Sequence, residues 1–191
     1  MDRSEFHAPN FTAPVDASAQ KRLVPPGGTL KGMQLQALVD ECARGGHVVE
    51  KRFTAFREYS GEELVDLLVE SASLCHPRVP RREGMRRLGH VAYPTLAQSM
   101  LGRVVFGLVG NDPKNLVALV SKGYMLSNSS GSAETLEVTE SDAILRLQGI
   151  YSFIDAWHVG IIEGAFAAIG RDCTVRIKLR SPTSADFLVA W

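Results

Sequence analysis

No charge of either sign dominates this chain: Lys and Arg number 21, Asp and Glu number 21, and the formal net charge is zero. A general nucleic-acid binder carries a basic excess that draws it to phosphate, so nucleic acid is not an expected partner. No apolar run approaches the roughly 18 residues that would suggest a membrane-spanning helix. The first twenty residues are polar and hold no long apolar segment of a secretory leader. Cysteine is scarce: Cys42, Cys75 and Cys173 are odd in number and widely spaced. They read as reduced thiols of a cytoplasmic protein rather than a disulfide framework.

Chemical signatures are missing too. No two Cys or His residues have the close spacing of a structural zinc site, so no metal is expected. There is no G-x-S-x-G elbow, and Cys42 and Cys75 fall on apolar helical faces as small buried hydrophobes. Gly27-Gly28 and Gly45-Gly46 lack the Walker lysine and its strand–loop–helix context, so they read as turns. An enzyme is therefore not expected.

What is present is the ordinary content of a globular domain, 45% apolar and 22% charged over 191 residues,. Residues 1–20, with Pro9 and Pro14 and little periodicity, read as a flexible or loosely docked N-terminal arm. Residues 21–191 read as a single α+β domain. Lys21–Val24 is a candidate short strand before the break at Pro25-Pro26-Gly27-Gly28.

Five helix signals follow. Leu30, Met33, Ala37, Leu38 and Cys42 recur at helical spacing up to Gly45-Gly46. Ser60-Gly61-Glu62-Glu63 is a capping box before Leu64, Leu67, Leu68, Ser71 and Cys75. Arg82 to about Val109 carries Met85, Leu88, Ala92, Leu96, Met100 and Val104, with a kink or break expected near Tyr93 because of Pro94. Asp112-Pro113 is an N-cap and N1 pair opening a short helix to Gly123. Asp155 is expected to open the last helix, with Val159, Ile162, Phe166 and Ile169 inward. Leu136–Thr139 and Ala143–Leu147 form a hairpin pattern. Cys173, Val175, Ile177 and Leu179 alternate with polar residues, and Phe187, Val189 and Trp191 alternate likewise. Helices first and antiparallel hairpins later give the α+β class.

Two further patterns bear on binding. Arg82 and Arg86 lie four apart on one helix face and are a candidate anion clamp. Their R-x-x-x-R spacing resembles the arginine motif of PilZ-type cyclic-dinucleotide receptors, but the D/N-x-S-x-x-G partner of that motif is missing. His90 and His158 lie in helical segments and read as satisfied helix histidines.

The stretch Gly84-Met85-Arg86-Arg87-Leu88-Gly89-His90-Val91-Ala92-Tyr93-Pro94-Thr95, then Leu101-Gly102-Arg103, the Val159–Gly164 helix and the closing Phe187–Trp191 strand together resemble a paralogous family of unknown function expanded in myxobacteria. The resemblance covers roughly residues 21–191. That family in turn is similar to the ligand-binding fold of haem-nitric-oxide sensors, 4-vinyl-reductase domains and Golgi transport-particle subunits. The resemblance implies a helical layer packed on a twisted antiparallel sheet, with a small molecule or acyl chain held between them.

It also implies where a haem would be held, and this chain departs there. Residues 112–122 hold no histidine, and Tyr151-Ser152-Phe153 lacks the arginine of a Y-x-S-x-R propionate clamp. Cys173 has no zinc-binding companion, and no motif selects Cys75 or Cys42 for acylation. No cofactor is assigned. The expectation is a non-enzymatic cytoplasmic sensor, signalling or adaptor domain binding a small apolar or amphipathic ligand. Its pocket would be lined by Leu96, Met100, Val104, Val175, Ile177, Phe187 and Val189. The alternative is a protein-interaction or dimerisation module with a filled core and no ligand.

Overall fold

Two apolar cores meet across one pair of crossing helices. The computed structural model describes residues 1–98 and 110–191,. The first core is helical. α1 (Ala17–Lys21) is capped by the Asp16 carboxylate, which accepts from the Ala19 N–H at 2.8 Å. This helix and the turn after it occupy the stretch where a strand over Lys21–Val24 was expected. The local cap at Asp16 outcompetes a strand that has no neighbour to pair with.

β1 (Thr29–Lys31) pairs antiparallel with β2 (Glu58–Ser60). They lead into α2 (Gly32–Arg44) and α3 (Gly61–Cys75) respectively. Ser60 caps α3 as expected, its hydroxyl accepting from the Glu62 N–H at 3.1 Å. Leu35, Leu38 and Cys42 of α2 pack with Leu64, Leu67 and Leu68 of α3. Met85 and Leu88 of α4 (Arg81–Gln98) join the same core.

α4 runs on past Tyr93 and Pro94 to Gln98, so the helix is not broken where a kink or break was expected. Proline at 94 removes the N–H that would bond the His90 carbonyl. That same carbonyl faces Gly164, where a Cβ would stand only 2.1 Å from it.

The second core lies under a four-stranded antiparallel sheet of order β3-β4-β6-β5. Its strands are β3 (Ser132–Val138), β4 (Asp142–Gln148), β5 (Thr174–Ser181) and β6 (Ser184–Ala190). Period-2 alternation puts Ala143, Leu145, Leu147, Val175, Ile177, Phe187 and Val189 on the inner face, where all are buried. Two short helices, α5 (Pro113–Ala118) and α6 (Val120–Ser127), precede the sheet. The Asp112 cap and Pro113 are placed as expected, but the helical run passes Gly123.

α7 (Trp157–Ala168) serves both cores. Its Trp157 packs into the helical core, and Val159, Ile162 and Phe166 pack under the sheet. Asp155 does not cap it; Ala156 occupies the cap position. The Asp155 carboxylate is instead drawn into an ion pair with Arg82 of α4. Phe153 takes a left-handed φ of 50° just before this turn, and its carbonyl accepts from the Ala156 and Trp157 N–H groups at 3.0 and 2.9 Å.

The N-terminal arm is docked along the outer face of the sheet. His7 exchanges backbone hydrogen bonds with Ile177 at 3.0 and 2.8 Å. Phe6 is fully buried against Ile144 and Leu188. Arg3 donates to Asp142 at 2.8 Å, and the terminal ammonium meets Glu137 at 2.6 Å. The arm explains why Leu188, on the polar-facing register of β6, is buried.

Candidate functional site

The crossing of α4 and α7 is built by three glycines. A Cβ at Gly89 would lie 2.3 Å from the Trp157 carbonyl oxygen, one at Gly160 1.9 Å from that of Arg86, and one at Gly164 2.1 Å from that of His90. No side chain fits at any of these points, so the two backbones touch. A cleft of about 260 Å³ opens beside this crossing. Glu41 of α2, His76 at the end of α3, Arg86, Arg87, His90 and Val91 of α4, and Glu163 of α7 line it.

The lining is charged. Arg86 holds Glu163 in a two-pronged ion pair, Nε to Oε2 at 2.8 Å and Nη2 to Oε1 at 3.0 Å. Glu83 accepts from Arg87 at 2.8 Å and lies 3.3 Å from Arg86. Burial alone would lower the Arg86 pKa, but Glu163 and Glu83 together raise it above its ordinary value. Burial, helped by the Arg87 charge, pushes His76 below the usual histidine range, so its imidazole is neutral near pH 7,. The Arg86 guanidinium also lies over the Phe11 ring at 5.2 Å, fastening the arm,.

Each arginine of the candidate anion clamp has a carboxylate partner. Arg82 is committed to Asp155 and stacks over Phe153 at 5.9 Å, and Arg86 is committed to Glu163. Arg82 meets Asp155 through Nη1 alone, its Nε and Nη2 lying 3.4 Å from the Pro14 carbonyl, and of the two Arg86 prongs on Glu163 only Nη2 makes a hydrogen bond. His90 is exposed on the cleft rim. His158 is buried, with its Nδ1 atom unpartnered among the described residues. Burial drives its pKa down to about 4, which keeps it neutral.

The seven residues expected to line an apolar pocket divide in two. Val175, Ile177, Phe187 and Val189 are brought together under the sheet, where they pack with α5 and α7. Leu96 falls in the last turns of α4, and its side chain, with Met100 and Val104, lies outside the described residues. The described part of α4 packs on α7, which stands between it and the sheet. Sequence reasoning missed Glu41, His76, Arg87 and Glu163 as lining groups. For Glu163 the signal was the Gly160–Gly164 spacing, which marks a close helix approach.

Among the described residues no cluster of three or more His, Cys, Asp or Glu side chains is placed to hold a metal ion. None of their helices is long and apolar enough to cross a membrane.

Residues 26–191 match a protein family described as "Protein of unknown function (DUF2378)". The chain belongs to this family. No curated protein matches it. Among solved structures, this DUF2378 chain is similar to the Fe(II) unliganded H-NOX protein of K. algicida, with 12% identity and a TM-score of 0.61 over 84% of this chain and 95% of that one. An H-NOX protein of S. oneidensis in its Fe(II)NO state gives 13% identity and a TM-score of 0.62, covering 83% of this chain and 97% of that one. An oxygen-binding H-NOX domain related to soluble guanylate cyclases gives 13% and 0.60, covering 83% and 91%. At such identity the likeness shows the fold, α+β and H-NOX-like, in agreement with the sequence resemblance.

The residues present do not fit a histidine-held haem. α5 and α6 contain no histidine. The two cleft histidines sit among charged pairs rather than in an apolar slot. Tyr151 is followed by Ser152, Phe153 and Ile154 with no arginine, and its buried hydroxyl has no partner among the described residues.

Proposed function

We propose that this DUF2378 chain is a non-enzymatic sensor or adaptor domain that binds a small apolar or amphipathic molecule. The reading rests on one observation: an H-NOX-like fold over more than four-fifths of the chain, in which separate helical and sheet cores meet at a shared helix. Proteins of this architecture place ligands between layers, where apolar walls and a few polar groups converge. The residues proposed to line its pocket are Leu96, Met100 and Val104 together with Val175, Ile177, Phe187 and Val189.

A second reading is a protein-interaction or dimerisation module. It is favoured by Val48 and Phe56, which are 82% and 66% exposed on the loop between α2 and β2.

Native mass spectrometry of the purified full chain separates the two. A retained small molecule, released on unfolding, supports the sensor. A ligand-free dimer whose melting is unmoved by acyl chains and other apolar probes supports the interaction module and removes the first reading. Hemin titration is expected to give no saturating, histidine-dependent spectrum at one equivalent.

A further inference from the structure

The Sγ atoms of Cys42 and Cys75 lie 2.7 Å apart, though the residues are 33 positions apart in sequence. Both thiols are free. They join the inner end of α2 to the last residue of α3. A disulfide bond is about 2.05 Å long, so a small approach of the two sulfurs closes one. We infer that Cys42 and Cys75 form a reversible dithiol–disulfide site whose oxidant is a low-molecular-weight disulfide.

The surroundings set the order of events. Cys42 is completely buried, while Cys75 is half-buried and stands where α3 ends at His76-Pro77. The cleft runs past this point, since Glu41 and His76, the chain neighbours of the two cysteines, both line it. Cys75 is the thiol an external disulfide can reach, and Cys42 is the one that resolves.

The steps balance. The Cys75 thiolate attacks one sulfur of the incoming disulfide; that S–S bond breaks and the departing thiolate takes up the proton Cys75 lost. The Cys42 thiolate then attacks the Cys75 sulfur, the mixed S–S bond breaks, and the second small thiol leaves with the Cys42 proton. Two protein thiols are oxidised and one external disulfide is reduced to two thiols.

Burial and the hydrogen bond with Cys42 push the Cys75 thiol up to about 12. Exchange is therefore slow at neutral pH and gains about tenfold in rate per pH unit, because only the thiolate attacks. Cys173, at the sheet end of the molecule, is an internal control.

The test treats the reduced full chain with oxidised glutathione at two alkaline pH values and reads intact mass and peptide maps. The wild type should lose two hydrogens, keep no glutathione and link Cys42 to Cys75, reversibly by dithiothreitol. C42S, or C42A if the serine variant folds poorly, should keep one glutathione on Cys75. C75S should stay unmodified at Cys42, and C173S should behave as the wild type. The oxidised chain should melt at a higher temperature, since the bond constrains the long unfolded loop. A wild type that stays fully reduced, keeps glutathione without an internal link, or links through Cys173 overturns the assignment.

Discussion

Gly160 of α7 sits directly on the Arg86 carbonyl of α4, so close that a methyl group there would stand 1.9 Å from the oxygen. This contact fixes the distance between the helical and sheet cores. It also brings Glu163, one helical turn along on α7, onto the Arg86 guanidinium at 2.8 Å. Gly160→Ala must push the helices apart and is expected to cost about 3 kcal/mol, at the upper end for overpacking. It should also loosen the Arg86–Glu163 pair. Ala167→Ser, on the exposed face of the same helix, should shift the urea midpoint little. Comparing the two midpoints checks the claim.

Asp186 is completely buried at the centre of the outer sheet face, between Arg146 at 2.7 Å and Arg180 at 2.6 Å. Burial alone would raise its pKa, yet the two guanidiniums hold it below the ordinary value. Its stabilisation is thus present above the unfolded carboxylate pKa near 3.9 and is lost as pH falls through the lower folded value. Asp186→Asn leaves two arginines facing an amide and should cost about 2 kcal/mol at neutral pH. The cost should shrink in strong acid, which denaturation at two pH values would reveal.

His158 acts in a different window. Its folded pKa of about 4 lies below the unfolded value near 6.5,. The unfolded chain therefore takes up a proton first, and stability falls as pH drops from about 6.5 towards 4, by roughly 3 kcal/mol in all. His158→Gln should flatten this part of the stability–pH curve while leaving the steeper acid limb below pH ~4 in place. A curve of unchanged shape would show that the imidazole is not held neutral.

Phe6 anchors the arm in a pocket made by Ile144 and Leu188. Phe6→Ala should weaken docking by about 2 kcal/mol of apolar burial and speed proteolytic cleavage within residues 1–12 by more than tenfold. Limited proteolysis followed by mass mapping would measure it. Cleavage at the wild-type rate would mean the backbone bridge between His7 and Ile177 is sufficient alone.

Much of the fold was legible because periodicity and caps act locally. Ser60 and Asp112 announced their helices, and Val175, Ile177, Phe187 and Val189 announced an inner sheet face. Asp155 misled because its carboxylate serves Arg82, 73 positions away, and no local rule sees such a partner. Leu188 looked like the wet side of its strand because the residue that covers it, Phe6, belongs to the far end of the sequence. The cleft was illegible for the same reason. Glu41 of α2, His76 after α3 and Glu163 of α7 are far apart in sequence, and Glu163 reaches Arg86 because glycines let α4 and α7 touch. Arg82 and Arg86 were visible as neighbours on one helix face, but their partners Asp155 and Glu163 lie far along the chain.

The order of the sheet has a consequence for how the protein is made. β6 is inserted between β4 and β5, so β4 has no partner on that side until the stretch through Ala190 has left the ribosome. β5 in turn holds the His7 segment, which is synthesised well before it. The helical core, apart from Tyr151, Phe153, Ala156 and Trp157, draws on residues up to Ala92 and can begin to assemble during translation. The sheet must await its final strand. Until β6 is in place the edge of β4 that pairs with it stays open, and in that interval a chaperone has its clearest target.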